Sequence, residues 1–208
     1  LKQIVDAVHA EGTPIFVQIH HAGVISSEED RVCPSDYTVK HKDMEKHGRE
    51  LTVEEIHVLE NEYIQAVRRA YEAGYDGVEL HGCHSYLLSQ FMNRRVNKRT
   101  DEYNADDMLI LKNILEGIRK VVPEEFVVGI RLGAFEPTIE DGIAHAKWLE
   151  AHGIDFINVS YGFSQDADQI KPEDYPFAAA VYGGKRIKEA VSVPIFAVYG
   201  IQNGEMAE

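Results

Sequence analysis

AYEAGYDGVELHGCHSY, residues 70–86, decides the fold. A helical pattern runs out at Gly74, where a left-handed turn costs least, and a short strand with Val78 and Leu80 follows at once. The strand ends in polar ring side chains. The same succession returns twice, as VHAEGTPIFV at 8–17 and LEAHGIDFINV at 149–159. A helix closed by glycine and followed directly by an apolar strand is the repeating joint of a parallel α/β fold.

Working outward, five short apolar runs are predicted as strands buried on both faces: 14–20, 76–81, 126–131, 155–160 and 194–199. Helical patterns fill the intervals at 53–73, 106–121, 139–152 and about 180–191, and the first of these carries a capping box from Thr52 to Glu55. Residues 22–50 are rich in charge and histidine and are expected to form a long loop after the first strand, where barrel enzymes place substrate-binding elements. No glycine-rich dinucleotide loop follows any strand, which favours a (β/α)8 TIM barrel over a doubly wound sheet. A complete barrel takes ~250 residues. The chain opens at Leu1 already in helical periodicity and stops soon after a strand, so we expect one barrel domain over 1–208, truncated at both ends. It would hold about five of eight strands, with none before Pro14 and none after Tyr199.

The 208 residues carry 21 Lys and Arg against 35 Asp and Glu, a formal charge of -14. Such a surface repels phosphodiester backbones and anionic lipid, which argues against nucleic-acid and membrane partners. No apolar run reaches the ~20 residues of a membrane-spanning helix. Two cysteines, Cys33 and Cys83, form neither a CxxC pair nor a disulfide framework and fit a reduced, cytoplasmic setting.

The chemistry gathers after the strand at 76–81. His81 ends it, and His84 and Tyr86 follow within one turn, so three polar rings collect at the end of one strand. Imidazole N–H groups can polarise a carbonyl and a tyrosine hydroxyl can deliver a proton, which suits reduction of an alkene conjugated to a carbonyl. The residues alone also admit a structural role, or a metal site of His81 and His84 with Glu79 or Cys83, as in a metal-dependent lyase or hydrolase. A Schiff-base aldolase is disfavoured because no predicted strand ends in Lys. Gln18 and Arg131 are polar residues in otherwise apolar strands. Gln18 could bond neighbouring backbone, and Arg131 could pair with Glu79. Of His20 and His21, only one can face the pocket. Gly183-Gly184-Lys185 is expected to be a turn on the approach to a helix.

The 28-residue string DGVELHGCHSYLLSQFMNRRVNKRTDEY at 76–103 resembles the signature of the Old Yellow Enzyme family of FMN-containing ene-reductases: a strand ending in His, then HxY, a QF pair and NxRxDxY. FVQIHHAG at 16–23, RELTVEEI at 49–56, VVGIRL at 127–132 and GIDFINVSYG at 153–162 match in register. The resemblance implies FMN as cofactor, NADH or NADPH as hydride donor and an electron-poor alkene as substrate. It implies that His81 and His84 bind the substrate carbonyl, that Tyr86 donates a proton, that Gln18 meets the flavin pyrimidine edge and that Arg131 sits near flavin N1 and O2. Gly200 falls in the segment that approaches the flavin phosphate. There the family's Gly-Gly-Ile is replaced by Tyr199-Gly200-Ile201, and its Gly-Gly after DEY by Asn104-Ala105. The family's first two strands and its last, phosphate-holding strand have no counterpart in these residues. The 208-residue chain is therefore expected to bind FMN weakly, to self-associate through open strand edges, or to be an inactive barrel fragment.

Overall fold

The computed structural model describes residues 1–41, 44–162 and 171–207. Helix α1 (Lys2–Ala10) leads to β1 (Phe16–Ile19), followed by a small sheet of β2 (Val32–Cys33), β3 (Tyr37–His41) and β4 (Met44–Glu50). Then come α2 (Val53–Glu72), β5 (Gly77–Gly82), α3 (Leu87–Met92), α4 (Leu109–Ile118), β6 (Val127–Phe135), α5 (Ile139–Ala151), β7 (Phe156–Gly162), α6 (Ala179–Lys188), β8 (Ile195–Ala197) and α7 (Gly204–Ala207). Strands β1-β5-β6-β7-β8 form one wholly parallel sheet in chain order, an open arc of a TIM barrel. Among the described residues no sheet strand precedes β1 or follows β8, as expected.

Period-two alternation gives the sheet its two faces. Val78, Leu80, Val128, Ile130, Leu132, Ile157 and Val159 are buried outward against the helices. Phe16, Gln18, Glu79, Phe156, Asn158 and Phe196 point to the other side, where with Val17 they line a cavity of about 250 Å³ inside the arc. The helices match this outer face. In α2 the buried residues Ile56, Glu60, Tyr63, Val67 and Ala70 recur at helical spacing, Thr52 closes a reciprocal capping box with Glu55, and Gly74 takes φ +92 beyond the last turn.

Three expectations are corrected. Residues 22–50 are not one long loop, since Val32–Cys33, Tyr37–His41 and Met44–Glu50 pair into a sheet; residues 42 and 43 lie outside the described part. Its strands are two to seven residues long and bury only Cys33, Val39 and Gly48 among the described residues, so apolar periodicity gives little signal. Gly183-Gly184-Lys185 is no turn but the middle of α6. A Cβ on Gly183 would sit 2.2 Å from that of Ala134, so the glycine lets the helix lie against β6. The helix expected at 106–121 is confined to Leu109–Ile118, and the short α3 was not foreseen.

Candidate active site

Strand β5 delivers His81 to the C-terminal end of the sheet, and the backbone then turns sharply. His84 and Ser85 both take left-handed φ values, +58 and +64, which brings the chain round to start α3 at Tyr86. The turn is held by Gln90, whose Nε2 donates to the Ser85 carbonyl and whose backbone N–H donates to that of Tyr86, and by Leu87 N–H donating to the His21 carbonyl at the end of β1. Two consecutive non-glycine residues in this region store strain, which surrounding bonds must offset.

The turn packs the predicted rings together. His81 lies 5.3 Å from His84 and 4.8 Å from Tyr86, centroid to centroid. His20 completes the group at 5.9 Å from His81 and 5.0 Å from Tyr86, so it is His20 rather than His21 that faces the site. His21 instead accepts from the Gly23 N–H through Nδ1. His84 Nε2 is 2.7 Å from the Ser160 hydroxyl at the end of β7.

Burial, then the neighbouring His84, Arg131 and His20, hold the His81 imidazole down to about 4; burial, then Arg131, lowers His84 as well. Both rings are neutral near pH 7, and each offers one N–H to an acceptor. Register places Arg131 between His81 on β5 and Asn158 on β7. Among the described residues its buried Nε has no hydrogen-bond partner, and neither has Asn158 Oδ1. Arg131 does not pair with Glu79: that carboxylate accepts from Gln18 Nε2 at 2.5 Å and from Asn158 Nδ2 at 2.9 Å. Gln18 is thus bonded to a side chain and lies on the inner face beneath the ring cluster. A cavity walled by Phe16, Phe156 and Phe196, with the amides of Gln18 and Asn158 in its lining, suits a flat, polar-edged ring such as a flavin.

Gly200 lies apart from this cluster at the end of β8, exposed, with φ +77. Tyr199 beside it has φ +84 and its ring packs against Tyr161, 5.4 Å away. The metal reading keeps one observation: the ligand atoms of His81, Cys83 and His84 lie within 4.8 Å of one another. Against it, Cys83 Sγ is 3.9 Å from both ring nitrogens of His81 and so on the lone-pair axis of neither. Burial also keeps the thiol protonated, Arg131 adds positive charge, and Glu79 is engaged elsewhere.

The NxRxDxY segment turns out to brace the site. Arg99, with only 4% of its side chain exposed, binds Asp101 and donates to the carbonyls of Pro34 and Leu51, which ties the small sheet to the loop after α3. Asn97 Nδ2 donates to the carbonyls of Phe91 and Tyr103. Sequence reasoning did not single out Asn158, although it carries the signal that marked Gln18, a polar residue inside an apolar strand. Ser160 had no such signal, because a serine at a strand end is commonplace.

The whole chain, residues 1–208, matches the profile of the NADH:flavin oxidoreductase / NADH oxidase family. It belongs to that family. It is 34% identical to an NADH oxidase of Thermoanaerobacter brockii over 99% of this chain and 34% of that protein. To 12-oxophytodienoate reductase 2 of Arabidopsis thaliana it is 39% identical, over 77% of this chain and 47% of the relative. Among solved structures it is similar to a 2-naphthoyl-CoA reductase complex at TM-score 0.79 and 27% identity, covering 93% of this chain and 33% of that one. An old yellow enzyme homologue from Zymomonas mobilis follows at TM-score 0.70 and 26% identity, with 95% and 60% covered. The chain therefore spans about a third to three-fifths of the family members it matches. No helix among the described residues is long and apolar enough to cross a membrane.

Proposed function

We propose that this chain carries the catalytic strands of an FMN-dependent oxidoreductase that passes hydride from NADH or NADPH to an alkene conjugated to a carbonyl. The observation that carries this reading is the convergence of His81, His84 and Tyr86 at one end of the parallel sheet, beside the unpartnered guanidinium nitrogen of Arg131. Bound FMN would supply the redox chemistry, a hydride relay between the nicotinamide and the substrate.

The chain's own residues do the rest. His81 and His84 donate N–H bonds to the substrate oxygen, and these strengthen as negative charge builds there. Ser160 fixes the orientation of the His84 ring through its 2.7 Å contact. Neutral imidazoles suit the task, because neither can protonate the oxygen outright. Tyr86, pressed edge-on against His81, supplies its hydroxyl proton to the α-carbon. Gln18 and Arg131 would hold the polar edge of the flavin, with Gly200 near its phosphate. A fixed positive charge at Arg131 favours the electron-rich reduced ring.

Stopped-flow absorbance separates the two half-reactions. In the full-length enzyme Tyr86→Phe is expected to slow alkene reduction while leaving flavin reduction by NADH or NADPH unchanged. Equal loss in both halves would remove Tyr86 as the proton donor.

A further inference from the structure

We propose that Ser160 is a positioning residue whose hydroxyl donates to Nε2 of His84, which holds that ring as its Nδ1–H tautomer and makes Nδ1 the donor presented to the substrate oxygen. This rests on His84 being a donor to the substrate carbonyl, as proposed above, and decides which ring nitrogen carries the proton.

The contact spans three strands. His84 follows β5, Ser160 lies on β7, and the β6 residue in register with Ser160 is Gly133, which has no side chain to stand between them. A Cβ on Gly133 would lie 2.5 Å from Gly162 Cα, so β6 and β7 close tightly at this end and hold the Ser160 backbone in place. Ser160 is buried, and its hydroxyl is 2.7 Å from His84 Nε2. Among the described residues neither side chain makes another hydrogen bond. Burial and Arg131 keep the ring uncharged near pH 7, so the question is one of tautomer and not of ionisation. A neutral imidazole has one nitrogen that donates and one that accepts, and a hydroxyl can do either, which leaves two arrangements. If Nε2–H donated to the Ser160 oxygen, the hydroxyl hydrogen would be buried without an acceptor, and Nδ1 would meet a substrate oxygen lone pair to lone pair. If the hydroxyl donates to Nε2, its hydrogen is satisfied and Nδ1 carries the proton. The second arrangement costs less, because a buried donor without a partner is a graver fault than an oxygen with a spare lone pair. It also runs against the preference of a histidine side chain in water, which keeps the proton on Nε2, so removing Ser160 releases the ring to revert.

Nitrogen-15 spectra of the full-length protein, labelled at histidine and recorded near neutral pH without substrate, tell a protonated ring nitrogen from a bare one. Loss of the signals in His84→Gln assigns them. The wild-type protein is expected to show Nδ1 protonated and Nε2 bare, and Ser160→Ala to move His84 toward the Nε2–H form. A phenol that mimics the carbonyl is expected to bind Ser160→Ala several-fold more weakly. That is less than the roughly tenfold loss expected when the ring itself is removed, because the freed ring still adopts the Nδ1–H form part of the time. A wild-type ring protonated at Nε2, or a tautomer unchanged in Ser160→Ala, would overturn the proposal. If Ser160→Ala does not fold by circular dichroism, the wild-type spectrum alone decides the direction of the bond. A tautomer that moves as expected with no change in phenol affinity would instead overturn the reading of His84 as a donor to the substrate oxygen, while the contact with Ser160 would still set the tautomer.

Discussion

At the scale of single residues, neutrality is what the site builds. His81 and His84 would each carry a charge at mildly acidic pH in water, yet burial and the neighbouring Arg131 keep them as neutral donors. In the full-length enzyme His84→Ala is expected to weaken binding of a phenol that mimics the carbonyl by roughly tenfold, the worth of a hydrogen bond to a partly charged oxygen. Spectroscopic titration of the flavin with p-substituted phenols checks this, and unchanged affinity would place His84 outside the pocket. Tyr86→Phe is expected to slow alkene reduction roughly 10²- to 10⁴-fold, the usual contribution of a positioned proton donor. Gln18, by contrast, donates to Glu79 from the neighbouring strand, and that contact exists only when the strands are assembled.

At the scale of elements, the helices were legible wherever their ends carried local chemistry. The capping box at Thr52 and the glycine after α2 are short-range signals, and both stand in the structure. Thr52→Ala is expected to cost about 1 kcal/mol in urea denaturation, because it removes the acceptor for the Glu55 N–H while leaving the rest of α2 intact. Gly183-Gly184 misled because glycines suggest a turn, and only the close approach of α6 to Ala134 explains them. Gly183→Ala is therefore expected to destabilise by roughly 1–3 kcal/mol through overpacking, even though alanine is the better helix former. An unchanged or raised denaturation midpoint would show that α6 can move away freely. The small sheet at β2 to β4 was missed for the opposite reason: its strands are short, they bury few side chains, and Arg49 and Arg99 tie it to residues outside it.

At the scale of the molecule, two properties emerge that no element has alone. The first is a pH dependence. Burial holds His145 on α5, like His81, down to about 4, so between that value and the ordinary 6.5 the unfolded chain binds protons that the folded chain refuses. For His145 burial comes first, and nearby Asp141, Arg94 and Asp106 only adjust it. Stability is therefore full above about pH 6.5 and falls as pH is lowered toward 4, by on the order of 2–3 kcal/mol for a fully buried histidine. Urea denaturation across that range checks it, and His145→Gln is expected to flatten the slope. The second concerns the 208 residues by themselves, in which β1 and β8 are the outer strands of the sheet among the described residues and Phe16 is 40% and Phe196 54% exposed. Unpaired backbone next to exposed aromatic rings favours association, so the 208-residue chain expressed by itself is expected to self-associate. Light scattering at increasing concentration reads this directly, and a monomer throughout would contradict it.

The sequence by itself determined the βα repeat, the five parallel strands and the cluster of His81, His84 and Tyr86, because each is written in neighbouring residues: a glycine after a helix, an apolar run, polar rings within one turn. Only the tertiary structure decided that His20 rather than His21 joins the cluster, that Arg131 has no carboxylate partner among the described residues, and that Glu79 clamps Gln18 and Asn158. The two clamp contacts join residues 61 and 79 positions apart in the chain. Such pairings depend on strand order and register, which bring side chains from separate βα units onto one face, and no local pattern encodes them.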